Sequence, residues 1–278
     1  MPTLEDGGKT LSYQDDGAGT VALLLHSGGL SSRQWRGLAS QLKTKHRVLA
    51  PDLLGYGGST PLADGAGFHF RDDVEMLQAM LEKLAPDQAV HLVGHSYGGL
   101  LALQLALKAP HLARSFALFE PVAFGLLHKD DSVKPDSAEL IAMEAMASDD
   151  SGAGGGEAWM EGFVDWWQGK GLWRTLPEPS RTAFLAAGRK TFLEVKSLLA
   201  DRTPASAYRV LQAPALILSG EKSPAVEQRV CARLATALPN GKLEIVAKAG
   251  HMGPLTHMSQ VNSLIAAHLA ANDFPQQS

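Results

Sequence analysis

The feature that most constrains this chain is a serine at a strand-to-helix corner, Val93-Gly94-His95-Ser96-Tyr97-Gly98-Gly99. Before it, Ala89-Val90-His91-Leu92-Val93 is short and apolar, as a buried strand is. After it, Leu100 to Leu107 lacks Gly and Pro and is rich in helix formers. Gly94 and Gly98, two positions either side of Ser96, suit a turn so tight that side chains there would collide. Such a turn pushes the hydroxyl out above the sheet. It also aims the free N–H groups of the new helix at the same point, which favours developing negative charge. In that setting Ser96 reads as a nucleophile rather than an incidental serine in a Gly-rich turn.

The flanking sequence repeats the strand-then-helix rhythm. Lys9 to Gln14 alternates as an early strand does, and Asp15 to Gly19 reads as a turn. Val21-Ala22-Leu23-Leu24-Leu25 is wholly apolar, the kind of strand covered on both faces of a parallel sheet. A helix follows with Trp35, Leu38, Ala39 and Leu42 on one side; then come a short strand at Val48-Leu49-Ala50 and a glycine-rich loop from Pro51 to Ser59. Val74, Leu77, Leu81 and Leu84 recur at helical spacing. Past Ser96 and its helix, Phe116 to Phe119 is a strand ending in Glu120-Pro121. The rhythm returns with strands at Ala215 to Leu218 and Lys242 to Val246, a helix from Val226 to Leu238, and a last helix from about Thr256 to Ala271. Between them, 124–207 is helical and irregular, with a loop-like Ser148 to Gly156.

Strands alternating with helices imply an α/β fold with a doubly wound, mostly parallel sheet. Sites in such sheets lie beyond the carboxyl ends of the strands. Ser27-Gly28, Ser96, Glu120, Ser223 and His251 all follow strands directly, so one architecture brings them to one edge. The helical segment leaves from that edge and is expected to cover it. The division is 1–123 and 208–278 as two parts of a core, with 124–207 as an inserted helical cap.

With 278 residues, 45% of them hydrophobic, the chain can bury a sizeable core. A formal charge of −4 offers no basic face for nucleic acid. The single cysteine, Cys231, permits no internal disulfide. The start of the chain is polar, without an apolar signal core, and no window approaches the roughly eighteen apolar residues of a membrane span. The expectation is a cytoplasmic protein with no membrane or nucleic-acid partner. Its oligomeric state is open, a homodimer included.

Four stretches carry a resemblance: His26-Ser27-Gly28-Gly29, the Pro51 to Ser59 loop with Asp52, Gly94 to Gly99, and Ala249-Gly250-His251-Met252-Gly253-Pro254. Over nearly its full length the chain resembles the α/β-hydrolases that carry a helical cap. The resemblance implies the order nucleophile, acid, histidine. Ser96 is then the nucleophile and needs a base near neutral pKa. His251 holds the family position for that base, with His257 as the rival and His95 structural. Many relatives carry an aspartate where this chain has Ser223, and a serine cannot bear the charge that stabilises an imidazolium. Glu120, just after the next strand along, is the natural substitute, and some haloalkane dehalogenases place their acid there. Glu221, or no acid at all, are the alternatives. Gly28 and Tyr97 are implied as the oxyanion-hole N–H donors, Gly28 by alignment with the family's H-G-x motif, in which the usual glycine is Ser27 here. Asp52 is implied to fix a turn.

Trp35, Phe124, Trp166, Trp167 and Met252 are candidates to line an apolar substrate pocket. The histidines show no ligand spacing of the H-E-x-x-H kind, so neither metal nor cofactor is expected. The function expected is a serine hydrolase cleaving a small, largely apolar ester, lactone or related carbonyl compound. Dehalogenases and epoxide hydrolases of this fold use an aspartate nucleophile, against which Ser96 argues. The competing readings are a small-molecule receptor, a degenerate hydrolase and a cofactor-free oxygenase or haloperoxidase-like enzyme.

Overall fold

The computed structural model describes residues 1–62, 67–127, 138–148 and 154–273. Part of the expected Ser148 to Gly156 loop, 149–153, lies outside them. Eight strands form one sheet: β1 (Thr3–Asp6), β2 (Lys9–Gly17), β3 (Thr20–Leu25), β4 (His46–Pro51), β5 (Val90–His95), β6 (Ala113–Phe119), β7 (Ala215–Gly220) and β8 (Gly241–Val246). Their order is β1-β2-β4-β3-β5-β6-β7-β8; β2 is antiparallel to both its neighbours, β1 and β4, and the remaining neighbours pair in parallel. The chain steps from β3 to β4 on one side, then returns to place β5 on the other side of β3. The loops after β3 and β5 therefore diverge at a topological switch point, where open sheets of this kind hold their ligands.

Alternate residues of the central strands feed two cores. Leu23, Leu25, Leu92, Phe116 and Leu118 face one layer with α2 (Phe70–Leu84), α3 (Tyr97–Lys108) and α8 (Ala225–Ala237). Ala22, Leu24, Val93, Ala117 and Phe119 face the other with α1 (Arg36–Leu42) and α10 (Met258–Ala271), through Leu38, Leu42, Val261, Ile265 and Leu269. Burial on both faces explains why Val21 to Leu25 of β3 and Ala215 to Leu218 of β7 read as unbroken apolar runs. A short helix, α9 (Gly253–Thr256), precedes α10, so the expected last helix is two pieces joined at His257.

Two expectations at the start of the chain are corrected. Asp15-Asp16-Gly17 is strand rather than turn, because these residues pair with Leu49, Val48 and Arg47 of β4 and Arg47 holds Asp15 at 2.7 Å. Strand β1 was not expected at all: only Leu4 of its four residues is buried, so an edge strand left this little alternation to read.

Between β6 and β7 the chain leaves the sheet. A turn of 3₁₀ helix at Phe124–Leu127 leads to α4 (Ala138–Ala147), α5 (Glu157–Gln168), α6 (Leu172–Thr175) and α7 (Glu178–Leu199), then a second 3₁₀ turn at Ala205–Val210. The C-terminal half of α7 is buried nearly all round, from Gly188 to Leu199. No described helix is long and apolar enough to cross a membrane.

Candidate active site

Ser96 sits between β5 and α3 with φ 54° and ψ −120°, a left-handed conformation that a side-chain-bearing residue holds only under strain. A methyl group at Gly94 would lie 2.6 Å from the Gly98 carbonyl oxygen. One at Gly98 would run into the carbonyls of Leu25 and His26. Both glycines thus let α3 start hard against β3 and β5. Glu120, at the end of β6, also has a positive φ, 45°, and its N–H bonds the Leu218 carbonyl.

These corners bring three side chains into one chain of hydrogen bonds. His251 Nε2 lies 2.9 Å from Ser96 Oγ, and His251 Nδ1 lies 2.7 Å from Glu120 Oε2. The other Glu120 oxygen accepts from the Gly220 N–H at 2.6 Å and the Ser219 hydroxyl at 3.3 Å. Nδ1–H donates to the carboxylate, which leaves the Nε2 lone pair for the serine proton. Behind Glu120, Glu227 is pushed well above the usual carboxylate range, by burial first and then by the charge of Glu120.

The rivals are accounted for elsewhere. Glu221 accepts from the Lys248 N–H, and His257 Nδ1 contacts the Thr256 hydroxyl on the surface. Ser223 Oγ is buried with no hydrogen-bond partner among the described residues. Burial raises the Cys231 thiol well above its ordinary value. His95 Nε2–H donates to the His251 carbonyl at 2.8 Å, and its ring packs against the His251 ring, fixing the loop that carries His251. Asp52 binds the Ser32 and Gly58 N–H groups and holds its loop together.

Ser96 and His251 open on a cavity of about 400 Å³, within the usual range for small-ligand pockets. Gly28 and Tyr97 line it, and among the described residues neither of their backbone N–H groups has an acceptor; that of Tyr97 is free because it begins a helix. Phe124, Trp167 and Met252 line it as well. Trp167 does more than line: its indole stacks on the His251 imidazole, 3.6 Å between centroids and 19° between planes. Two expected wall residues are corrected. Trp35 is buried in the core under α1 and α10, where an amphipathic helix face puts it, and Trp166 packs edge-on behind Trp167. The wall also takes in Met143, one of the methionines of the helical segment, and Phe163, Phe184, Thr191 and Glu194, which were not expected there. Thr191 and Glu194 belong to a buried polar group with Tyr56, Asp73 and Lys190, described below.

His26, at the end of β3, uses both nitrogens: Nδ1–H donates to the Ser27 carbonyl and Nε2 accepts the Leu53 N–H at 3.0 Å. That arrangement demands a neutral ring, and burial lowers His26 to about 4. His91 in β5 is likewise lowered to about 4 by burial. In an unfolded chain both would take up a proton near about 6.5. Between about pH 4 and 6.5 the unfolded state thus binds more protons, and stability falls as the pH drops through that window. We expect the calorimetric melting midpoint to decline steadily from pH 7 to 4.5, and His91→Gln to flatten that decline.

His91 also belongs to a group of metal-ligating type, with His46 and Asp273; their ligand atoms lie within 4.8 Å of one another. It sits where β4 and β5 begin, at the opposite end of β5 from Ser96, and ties the C-terminal helix to the sheet. Positions this far apart in sequence form no motif.

The alpha/beta hydrolase family model matches residues 22–264. The chain belongs to the alpha/beta hydrolase family. A haloalkane dehalogenase of Bradyrhizobium diazoefficiens is 27% identical over 95% of this chain and 92% of its own. A 2-hydroxymuconate semialdehyde hydrolase of Pseudomonas sp. (strain CF600) is 26% identical over 94% and 91%. Among solved structures, a thermophilic esterase from Thermogutta terrifontis superposes with a TM-score of 0.70 at 22% identity, covering 98% of this chain and 97% of that one, which is a likeness of fold. The protein is a hydrolase.

Proposed function

We propose that the protein is a serine hydrolase cleaving small, neutral, largely apolar esters or lactones through an acyl-enzyme. The observation that carries this is the Ser96–His251–Glu120 hydrogen-bond chain at the floor of an apolar cavity. Ser96 Oγ attacks the carbonyl carbon while His251 Nε2 takes its proton; Glu120 steadies the imidazolium. The N–H groups of Gly28 and Tyr97 receive the negative charge that develops on the carbonyl oxygen. The tetrahedral intermediate collapses, the leaving oxygen collects the proton from His251, and water then repeats the sequence on the acyl group. Residues 124–207 serve as a cap that keeps bulk water off these steps.

Substrate charge follows from the wall. Among the described residues lining the cavity there is neither lysine nor arginine, and Glu194 supplies the one carboxyl. A substrate carboxylate would lose its water and find no cation, which favours neutral substrates. Ser96 stands where dehalogenases of this fold carry aspartate, which disfavours halide displacement.

A fluorophosphonate probe tests the reading. Labelling is expected to reach one equivalent per chain, to map to Ser96 and to vanish in Ser96→Ala and His251→Ala. A folded protein that stays unlabelled would overturn it in favour of a binding role.

A further inference from the structure

The chemistry above leaves one ionisable group of the cavity wall without a task. Glu194 projects from α7, and its two oxygens each have one protein donor: Lys190 Nζ at 2.7 Å on Oε1 and the Tyr56 hydroxyl at 2.8 Å on Oε2. Lys190 is shared. It also bonds Asp73 Oδ2 at 3.0 Å and lies 3.7 Å from the centroid of the Phe68 ring. Asp73 on α2 also accepts from the Tyr97 hydroxyl at 2.7 Å and the Leu54 N–H at 2.9 Å. Tyr56 in turn accepts from the Gly29 N–H and contacts the Thr191 hydroxyl. Every member of this group is buried.

One ammonium thus serves two buried carboxylates, an arrangement with surplus negative charge, which is costly in a dry interior. The cost falls on Glu194. Burial pushes its carboxyl up to about 7, Asp73 adds to the rise, and Lys190 pulls against it. Asp73 does not reach the cavity; Glu194 does. A methyl group built on Gly28 would lie 2.5 Å from Glu194 Oε2, so the carboxyl lies against the loop that offers its N–H to the reacting carbonyl.

A carboxylate can accept about four hydrogen bonds. Glu194 receives two from the described residues, and the apolar side chains across the cavity offer none. Because Glu194 lines the cavity beside Gly28, its spare acceptor capacity is open to a substrate there. We propose that Glu194 is a substrate-reading group that accepts a hydrogen bond from a hydroxyl on the first or second carbon beyond the scissile carbonyl. The substrates selected are hydroxy-esters or hydroxy-lactones. This rests on the serine-hydrolase reading. A hydroxyl suits the site because it can donate to either protonation state of the carboxyl, whereas an ammonium would need the ionised form and a second carboxylate would be repelled.

The test compares p-nitrophenyl butanoate with its 2-hydroxy, 3-hydroxy and 3-amino analogues. For the wild-type protein kcat/KM is expected to be about 10- to 100-fold higher for at least one hydroxy-ester than for the parent, the span of a hydrogen bond to a charged acceptor. Glu194→Met should bring that ratio to about one, while Glu194→Gln, which keeps an acceptor oxygen but not the charge, should leave it at about a few-fold. Should Glu194→Met fail to fold, pH serves instead. The wild-type ratio should rise through about pH 7 as the carboxyl ionises, and in Glu194→Gln it should be flat. A ratio near one in the wild type, a ratio unchanged by Glu194→Met, or preference for the amino-ester alone would each overturn the proposal.

Loss of the underlying reading is separable from this. In Ser96→Ala, which turns nothing over, calorimetric binding of at least one of methyl 2-hydroxybutanoate and methyl 3-hydroxybutanoate should still exceed that of methyl butanoate, and Glu194→Met should abolish the difference. Equal binding there overturns the assignment of Glu194 even if Ser96 proves reactive.

Discussion

Glu120→Gln is expected to lower kcat by about 10⁴ while leaving KM within a few-fold, the scale set by loss of a triad carboxylate. The amide keeps the shape of the side chain and can still accept from the Gly220 N–H. What it loses is the charge beneath Nδ1, and the amide N–H₂ can hold the ring in the wrong tautomer, with a proton on Nε2 where Ser96 needs an acceptor. Ser223→Ala should change kcat less than about threefold, because the Ser223 hydroxyl has no described partner and lies outside the chain of hydrogen bonds. Steady-state kinetics on a p-nitrophenyl ester read both. Near-wild-type activity in Glu120→Gln, or a collapse in Ser223→Ala, would move the acid back to the end of β7.

Gly98→Ala should cost more than about 3 kcal/mol, enough that the variant is recovered mostly unfolded or insoluble. The added methyl meets the carbonyls of Leu25 and His26, which are backbone atoms of the central β3 and its loop and cannot swing aside. Relief requires α3 to back away from the sheet, which would also unseat the Tyr97 N–H and the loop bearing Gly28. Chemical denaturation against wild type measures the loss. A variant of unchanged stability would mean that the helix is not seated as tightly as described.

The parallel strands were legible because burial on both faces leaves uninterrupted apolar runs, as at Val21 to Leu25. The outer strands were less so, since solvent on one side dilutes the pattern to a single Leu4 in β1 or permits Asp15 and Asp16 in β2. Ser96 and His251 each lie in a short local motif, and Glu120 could be argued from its place at a strand end. Glu194, Lys190, Tyr56 and Asp73 could not. Their contacts join positions 117 to 138 residues apart, and Lys190 with Glu194 has the i,i+4 spacing of an ordinary solvated helix face. Only the packing around the end of α7 distinguishes the two cases. Trp35 failed for a related reason: helical periodicity identifies a buried face but not whether that face meets a cavity or a core.

The stacking of Trp167 on His251 ties the cover of the imidazole to α5. The indole travels with α5, so a displacement of that helix large enough to let a molecule pass also strips the imidazole of its cover and wets it. On the serine-hydrolase reading, a compound too bulky to fit beneath the indole would leave the imidazole wet and slow its proton transfer.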